Sequence, residues 1–297
     1  MAKKSRKQTV KLWVEGARLR TLPLAIAPVA LGTATVLATN TPLKPALTLL
    51  ALAVALFLQI GVNYANDYSD GIRGTDANRV GPLRLTGSGS TKPQAVKFAA
   101  FLFFGLAGLA GLAIVLLTQQ WWLIAVGVAC IVAAWFYTGG KSPYGYAGLG
   151  ELAVFVFFGL VATVGTSYIQ VGFLDQTAVL MGAAVGFFAS AVLMVNNIRD
   201  RENDAKVGKR TLAVKVGLVW SRVLFLTMLW LPFVIASIVA VVYQPAVFAW
   251  LAALLVAPAT VIFIMAKTPK ELILVLKLTS LAALVYALLV LLGFAVQ

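Results

Sequence analysis

The chain has 297 residues, of which 61% are hydrophobic and 11% are charged, whereas a soluble domain carries about 25% charged residues. This surplus of apolar residues excludes a single water-soluble core and favours an integral membrane protein. The formal net charge is +14. Because the basic residues lie in short segments between apolar runs, this charge favours an anionic membrane surface over a nucleic acid as the partner. The sequence contains no histidine, which excludes His-based zinc sites and Ser-His-Asp triads.

Nine apolar runs follow one another along the chain, each long enough for a membrane-spanning helix. A span needs about 20 apolar residues because the hydrocarbon core is about 30 Å thick, and a helix satisfies its own backbone polar groups in lipid. The sequence therefore predicts an all-α integral membrane bundle of nine transmembrane helices, with a basic segment 1–20 before a single domain 21–297. The predicted spans are residues 21–39, 45–65, 95–117, 120–137, 151–170, 177–197, 222–243, 246–266 and 272–295.

The basic residues lie almost entirely on one side of this predicted bundle. With nine spans, the N-terminus and the segments after the second, fourth, sixth and eighth spans share a side. They hold every Lys and Arg of the chain except Lys44. Because positive residues concentrate in cytoplasmic segments, we expect this side to face the cytoplasm and the protein to be a multi-pass protein of the cell membrane.

Three glycines spaced by three residues, Gly105, Gly108 and Gly111, lie inside the third predicted span. They are not a dinucleotide-binding motif, because such a motif follows a strand and these residues lie in an apolar run. We expect instead that they let neighbouring helices approach closely.

Most of the acidic residues fall in two short clusters, each where a predicted span reaches the cytoplasmic side. Residues three or four positions apart share a helix face, so an Asn and two Asp residues project together in each cluster. A single polar residue at a helix end is usually a solvated cap, but the same spacing at two equivalent helix ends favours a shared site. The first cluster contains Asn63, Asn66, Asp67, Asp70 and Asp76, and the second contains Asn196, Arg199, Asp200 and Asp204.

The residue types in these clusters suit a divalent cation and a phosphorylated ligand. Carboxylate and amide oxygens are ligands that Mg²⁺ accepts, typically one or two carboxylates together with substrate phosphate oxygens. Nearby basic side chains suit the remaining phosphate oxygens. The basic candidates are Lys141, Arg199, Lys209 and Arg210.

At these clusters the sequence resembles the UbiA superfamily of intramembrane aromatic prenyltransferases. That family has a first motif N-D-x-x-D-x-x-x-D and a second motif D-x-x-x-D, each at the cytoplasmic end of a helix. Gly74 stands where the last aspartate of the first motif would be, and Asp76 follows two residues later. A Y-x-x-x-K element, which the family places near the diphosphate, is also present. The matching residues are Asn66, Asp67 and Asp70, then Tyr137 and Lys141, and then Asp200 and Asp204.

Within this superfamily the chain resembles the 1,4-dihydroxy-2-naphthoate polyprenyltransferases of menaquinone biosynthesis. A single D-x-x-D is weak evidence, but several segments in the same order are specific. The resemblance implies transfer of a polyprenyl group from an all-trans-polyprenyl diphosphate to 1,4-dihydroxy-2-naphthoate. Diphosphate is released and the acceptor loses its carboxylate as CO₂, which gives demethylmenaquinol. The segments are residues 17–23, 66–76, 148–151 and 196–213.

The resemblance also implies a role for each candidate residue, with Mg²⁺ as the cofactor. Asp76 would reach the metal through water. Arg18 and Arg20 would bind the acceptor carboxylate or a phosphate, or else anchor the chain to lipid headgroups. Glu151 would lie at the acceptor site or favour the helix dipole. The implied metal ligands are Asp67, Asp70, Asp200 and Asp204, the further catalytic residues are Tyr137 and Lys141, and the other substrate-binding residues are Asn63, Asn66, Asn196, Arg199, Lys209 and Arg210.

Alternatives in the reaction and in the class of protein stay open. The acceptor could be another phenol such as 4-hydroxybenzoate, and a prenyl diphosphate phosphatase would use similar chemistry. A transporter is disfavoured because it usually places polar residues near the middle of the membrane. The segment 71–93 is long for a connection between packed helices, which is typical of a lid, and we expect it to close over the diphosphate. The sequence determines neither the prenyl chain length nor the oligomeric state.

Overall fold

The computed structural model describes residues 6–75 and 84–296, and every regular element in these two ranges is a helix. A π-helical segment, Phe155–Val161, joins α6 to α7, and a 3₁₀ segment, Gln244–Ala252, leads into α10. The helices are α1 (Arg6–Ala17), α2 (Pro23–Ala38), α3 (Pro45–Ile72), α4 (Pro93–Thr118), α5 (Leu123–Phe136), α6 (Gly150–Val154), α7 (Ala162–Val171), α8 (Gln176–Lys206), α9 (Leu212–Ala240), α10 (Ala253–Met265) and α11 (Leu272–Ala295).

The number of membrane-spanning helices is seven or eight by length and composition. Seven continuous helices in the described ranges pass as spans, and α2 becomes an eighth if it is joined to the bent segment before it, at an angle of 46°. Helix α5 has 14 residues and therefore extends about 21 Å, less than the hydrocarbon core. The prediction of an all-α membrane bundle is confirmed, but the predicted count of nine spans is not.

Three helix pairs and a central cluster of aromatic rings hold the bundle together. Helix α3 lies along α4, α8 lies along α9, and α11 lies against α2. The centre is a cluster of rings that are fully buried, namely Phe188 on α8, Phe233 on α9 and Tyr286 on α11. The Tyr286 hydroxyl donates to the carbonyl of Pro232 at 2.9 Å. In lipid such interfaces are held by close packing and hydrogen bonds rather than by expulsion of water.

Close helix approach depends on glycines other than the predicted ones. The π-helical segment touches α8 at Gly159, where a Cβ atom would lie 2.5 Å from the Cα of Gly186. By contrast, a Cβ at Gly105 or Gly111 would meet no atom of the described residues within 4 Å, and one at Gly108 would meet only a side chain at 3.9 Å. The expectation that these three glycines bring helices together is wrong, because no backbone of another helix in the described part of the chain comes within 4 Å of the position of a Cβ at any of them.

Helices α3 and α8 continue beyond their apolar runs. The predicted spans end at residues 65 and 197, but α3 continues to Ile72 and α8 to Lys206. Both acidic clusters are therefore on regular helical turns, and both extensions reach the same cavity. We call this end of the bundle, where Ile72 and Lys206 end their helices, the polar end.

Candidate active site

A polar cavity of about 110 Å³ lies at the polar end. Its walls come from α3, from α8 and from the segment 137–149 between α5 and α6. Arg73 donates hydrogen bonds to the carbonyls of Thr138 and Gly140, which ties the end of α3 to that segment. Among the residues expected from the sequence, those that line this cavity are Arg18, Asn66, Asp70, Tyr137, Asn196, Asp200, Asp204 and Lys209.

Asp70 is the most connected carboxylate of the cavity. Its Oδ1 accepts a hydrogen bond from Lys209 Nζ at 3.1 Å, and its Oδ2 lies 4.0 Å from an Arg84 nitrogen. The Tyr146 hydroxyl also donates to Oδ1. Burial raises the pKa of Tyr146 above its ordinary value, and the negative charge of Asp70 raises it further. The hydroxyl is therefore a stable proton donor, and two cations offset a buried negative charge.

Asp200 is held by its neighbour in sequence. Arg199 Nε and Nη2 donate to the two oxygens of Asp200 at 2.7 and 2.6 Å, and Nη2 also donates to Asn196 Oδ1 at 2.8 Å. The Arg199 side chain is only 2% exposed, and Arg199 does not line the cavity that the described residues form. Its position makes it a clamp on Asp200 and Asn196 rather than a direct ligand of a bound molecule.

Asp67 differs from the other predicted aspartates because its carboxylate binds protein backbone. Its two oxygens accept the N–H groups of Leu85 and Thr86, both at 2.8 Å. A Cβ at Gly71 would lie 2.4 Å from Thr86, so the glycine one turn further allows this close approach. Asp67 does not line the polar cavity of the described residues, and it fixes the segment that carries Arg84.

Residues 76–83 of the predicted lid, which include Asp76, lie outside the described residues. Residues 71–75 of the predicted lid are described, and so is the part from residue 84 to α4, which is the segment bound by Asp67.

The amides of α3 have separate partners. Asn66 Oδ1 accepts a hydrogen bond from the Thr138 hydroxyl at 2.8 Å. Asn63 Nδ2 donates to the carbonyl of Ala17 at 2.9 Å and to Thr21 Oγ1 at 3.1 Å, so Asn63 ties the turn before α2 to α3. Arg18 has a left-handed backbone at that turn, with φ of 53°.

Glu151 is 3% exposed and binds Asn197, which lines the polar cavity. Its Oε1 accepts a hydrogen bond from Asn197 Nδ2 at 2.9 Å, whereas its Oε2 has no partner in the described part of the chain. The pKa of the nearby Tyr137 is raised by burial first and by the negative charge of Glu151 second. Lys141 and Arg210 are exposed and do not line the described cavity.

An apolar cavity of about 500 Å³ adjoins the polar one. It extends between α2, α3, α4, α5, α7 and α8, and α4 contributes Gly108 and Gly111 to its wall. Arg18 and Arg20 both line it. The residues that line both cavities are Arg18, Asn66, Arg84, Tyr137, Leu193 and Asn196.

Arg84 and Tyr146 are among the residues of the polar cavity that sequence reasoning missed. Both lie in connections, where helical spacing gives no information on which side chains meet. For Arg84 the sequence offers only a positive charge in a long connection.

Comparisons with known proteins agree with this fold. The model of the UbiA prenyltransferase family matches residues 25–281. The chain is 49% identical over 276 residues to the 1,4-dihydroxy-2-naphthoate octaprenyltransferase of Mycobacterium tuberculosis, covering 93% of this chain and 94% of that protein. It is 41% identical over 216 residues to the protein of the same name from Escherichia coli, covering 71% and 70%.

Solved structures show the same fold at low identity. The structure of a UbiA homolog from Archaeoglobus fulgidus bound to DMAPP and Mg²⁺ superimposes with a TM-score of 0.67 at 14% identity, covering 96% of this chain and all of that one. The apo structure of a UbiA homolog from Aeropyrum pernix gives a TM-score of 0.69 at 15% identity, covering 92% and 97%.

Proposed function

The chain belongs to the UbiA prenyltransferase family, and we propose that its polar cavity binds the diphosphate of a polyprenyl donor while the adjoining apolar cavity takes the chain. The protein transfers a polyprenyl group to 1,4-dihydroxy-2-naphthoate in menaquinone biosynthesis, as the names of its similar curated relatives support.

One observation carries the assignment of the two cavities. Arg18, Asn66 and Tyr137 line both of them, so a charged pocket continues into an apolar one. A polyprenyl diphosphate has the same division, with a charged head on an apolar chain. The bond that breaks joins these two parts, and the residues shared by both cavities border that point.

The donor set of the polar cavity fits Mg²⁺. Asp70, Asp200 and Asp204 offer carboxylate oxygens, and Asn66 and Asn196 offer amide oxygens. Within the described residues no three carboxylates are close enough to hold one ion, so each Mg²⁺ would take one or two carboxylates and complete its coordination with phosphate oxygens of the donor. When bound, Mg²⁺ would neutralise the charge that develops on the leaving diphosphate.

Basic side chains of this chain would hold the diphosphate itself. Arg84 and Lys209 flank Asp70, and their charges suit phosphate oxygens once the donor is present. Tyr146 would keep Asp70 oriented through its hydroxyl. Lys141 and Arg210, which are exposed, would meet the donor at the entrance of the cavity.

Three other predicted residues would act through a neighbour. Asp67 would hold the segment that carries Arg84, Arg199 would hold Asp200, and Glu151 would hold Asn197. Each of these contacts involves a buried carboxylate, whose loss leaves a buried group without its partner.

The acceptor completes the reaction from the apolar cavity. The C1–O bond of the donor breaks to give diphosphate and an allylic cation, and the naphthoate ring carbon that carries the carboxylate forms the new bond to C1. The carboxylate leaves as CO₂, and the electrons of its bond return to the ring and restore aromaticity. Arg18 and Arg20 would bind the acceptor carboxylate before this step, and the apolar lining would exclude water that would capture the allylic cation.

The polar end would face the cytoplasm, because it carries most of the basic residues. We further propose that residues 21–297 form one transmembrane domain in the cell membrane, preceded by the basic segment 1–20.

A direct assay tests this function. Purified protein is incubated with labelled polyprenyl diphosphate, Mg²⁺ and 1,4-dihydroxy-2-naphthoate, and the product is separated from free prenol. We expect a prenylated naphthohydroquinone, CO₂ and diphosphate in equal amounts. Free prenol without a coupled product would indicate a phosphatase, and preferential use of 4-hydroxybenzoate in a competition assay would overturn the assigned acceptor.

A further inference from the structure

Gln59 lies deeper in the bundle than the aspartates, on the wall of the apolar cavity. It precedes Asn66 on α3 by seven residues, so it lies about 10 Å further from the polar end. Gln59 is 6% exposed, and within the described residues its Oε1 has no hydrogen-bond partner. A buried acceptor without a donor is costly, which points to a ligand as the missing partner.

The orientation of the Gln59 amide follows from the neighbouring hydroxyl. Thr21 Oγ1 donates its only proton to the carbonyl of Arg18 at 2.9 Å. It then accepts from Asn63 Nδ2 at 3.1 Å and from Gln59 Nε2 at 3.0 Å, which uses both of its lone pairs. A flipped Gln59 would bring an oxygen against a hydroxyl with no proton left to give.

The amide nitrogen of Gln59 is therefore committed to Thr21, and the carbonyl oxygen is left for the cavity. The same cavity is lined by Arg18 and Arg20. It offers cations for a carboxylate and, separately, an uncharged acceptor for a hydroxyl group. An aromatic ring that carries both groups matches this arrangement.

We propose that Gln59 is a specificity-determining residue whose side-chain carbonyl accepts a hydrogen bond from the acceptor hydroxyl that is remote from the carboxylate. This inference rests on the proposed function, because the acceptor is the dihydroxynaphthoate. The carboxylate lies near Arg18, which borders both cavities, and the 4-hydroxyl points to Gln59. A site that hydrogen-bonds a hydroxyl discriminates against an analogue that lacks it, because the buried acceptor then stays without a partner.

The test compares equilibrium binding of two ligands to wild type and Gln59→Met. The ligands are 1,4-dihydroxy-2-naphthoate, kept under anaerobic conditions, and 1-hydroxy-2-naphthoate. Binding is measured rather than turnover, because the second ring is also less nucleophilic. Wild type should prefer the dihydroxy ligand by about five- to tenfold, the effect of one hydrogen bond, and Gln59→Met should remove this preference.

Gln170 provides a matched control. It is also buried, at 3% exposed, but its Oε1 accepts from the Lys44 N–H and its Nε2 donates to Thr48. Gln170→Met should therefore keep the wild-type preference. If Gln59→Met keeps it as well, Gln59 does not contact the hydroxyl.

A second measurement needs only the wild type. A 4-methoxy analogue cannot donate a hydrogen bond, so it should bind about five- to tenfold more weakly than the dihydroxy ligand. Equal binding of the two would overturn the assignment of Gln59 even if the variant does not fold. Failure of wild type to bind or prenylate any naphthoate would instead overturn the proposed function.

Discussion

Asp67→Asn would separate two roles for this carboxylate, as a metal ligand and as an anchor for the segment that carries Arg84. In the structure both oxygens of Asp67 accept backbone N–H groups, those of Leu85 and Thr86, at 2.8 Å. Asparagine keeps one acceptor but turns an N–H donor towards the other amide. The loss is between one and two hydrogen bonds to a charged group, about 1.5–6 kcal/mol of local stability.

This loss should be visible by hydrogen–deuterium exchange. The amides of residues 85 and 86 should exchange about 10- to 10⁴-fold faster in Asp67→Asn, because local opening becomes more frequent. The affinity for the polyprenyl diphosphate should fall as well, since Arg84 is no longer held beside Asp70.

Asp175→Asn is the control for the exchange measurement. Asp175 also accepts two backbone N–H groups, from Thr177 and Ala178, at the start of α8. Asparagine also caps helices well, so Asp175→Asn should change exchange at those two amides at most and leave donor binding unchanged. Unchanged exchange at residues 85 and 86, combined with lost Mg²⁺-dependent donor binding in Asp67→Asn, would refute the anchoring role and identify Asp67 as a metal ligand.

Three further predictions concern the polar cavity. Tyr146→Phe removes the hydroxyl donor to Asp70 and should lower stability by about 1.5–3 kcal/mol, measured by thermal unfolding in detergent. Because the pKa of Tyr146 is raised above 10.0, the stability that this hydrogen bond contributes is present below pH 10 and is lost only as the pH rises through the raised pKa. A loss of this stability between pH 6 and 8 would contradict the prediction. Glu151→Leu should free the Asn197 amide and lower turnover about tenfold or more, since a buried polar group loses its partner, and wild-type turnover would count against this coupling. Chelation of Mg²⁺ should abolish transfer without unfolding the bundle, as circular dichroism would show, and transfer that survives chelation would exclude the metal.

The membrane fold could be predicted from the sequence because apolar runs and charge asymmetry are local properties. Their limit is seen at α5, whose apolar run is long enough for a span although its helix covers only 14 residues. The positions at which helices approach closely could not be predicted from the sequence. The open space at Gly105 and Gly111 and the close contact at Gly159 depend on which helix lies opposite, and one sequence does not contain that information.

The part of the polar cavity that helices form could be predicted from helical spacing. Asp70, Asp200 and Asp204 line one cavity because each lies on a helix that reaches the same end of the bundle. The partners of Asp67 were not predictable, because they depend on how the chain returns from residue 84 towards α3. Gln59 was also missed, since its importance follows from a hydroxyl on another element that already uses its only proton.

The central claim is that Asp70, Asp200 and Asp204 bind divalent cations, and through them the donor diphosphate, in the polar cavity. The direct measurement is an anomalous-scattering structure of the protein with Mn²⁺ in place of Mg²⁺ and a non-hydrolysable polyprenyl diphosphate analogue. We expect manganese within the wall formed by these three carboxylates and phosphorus next to Arg84 and Lys209. Manganese or phosphorus outside this cavity would contradict the account.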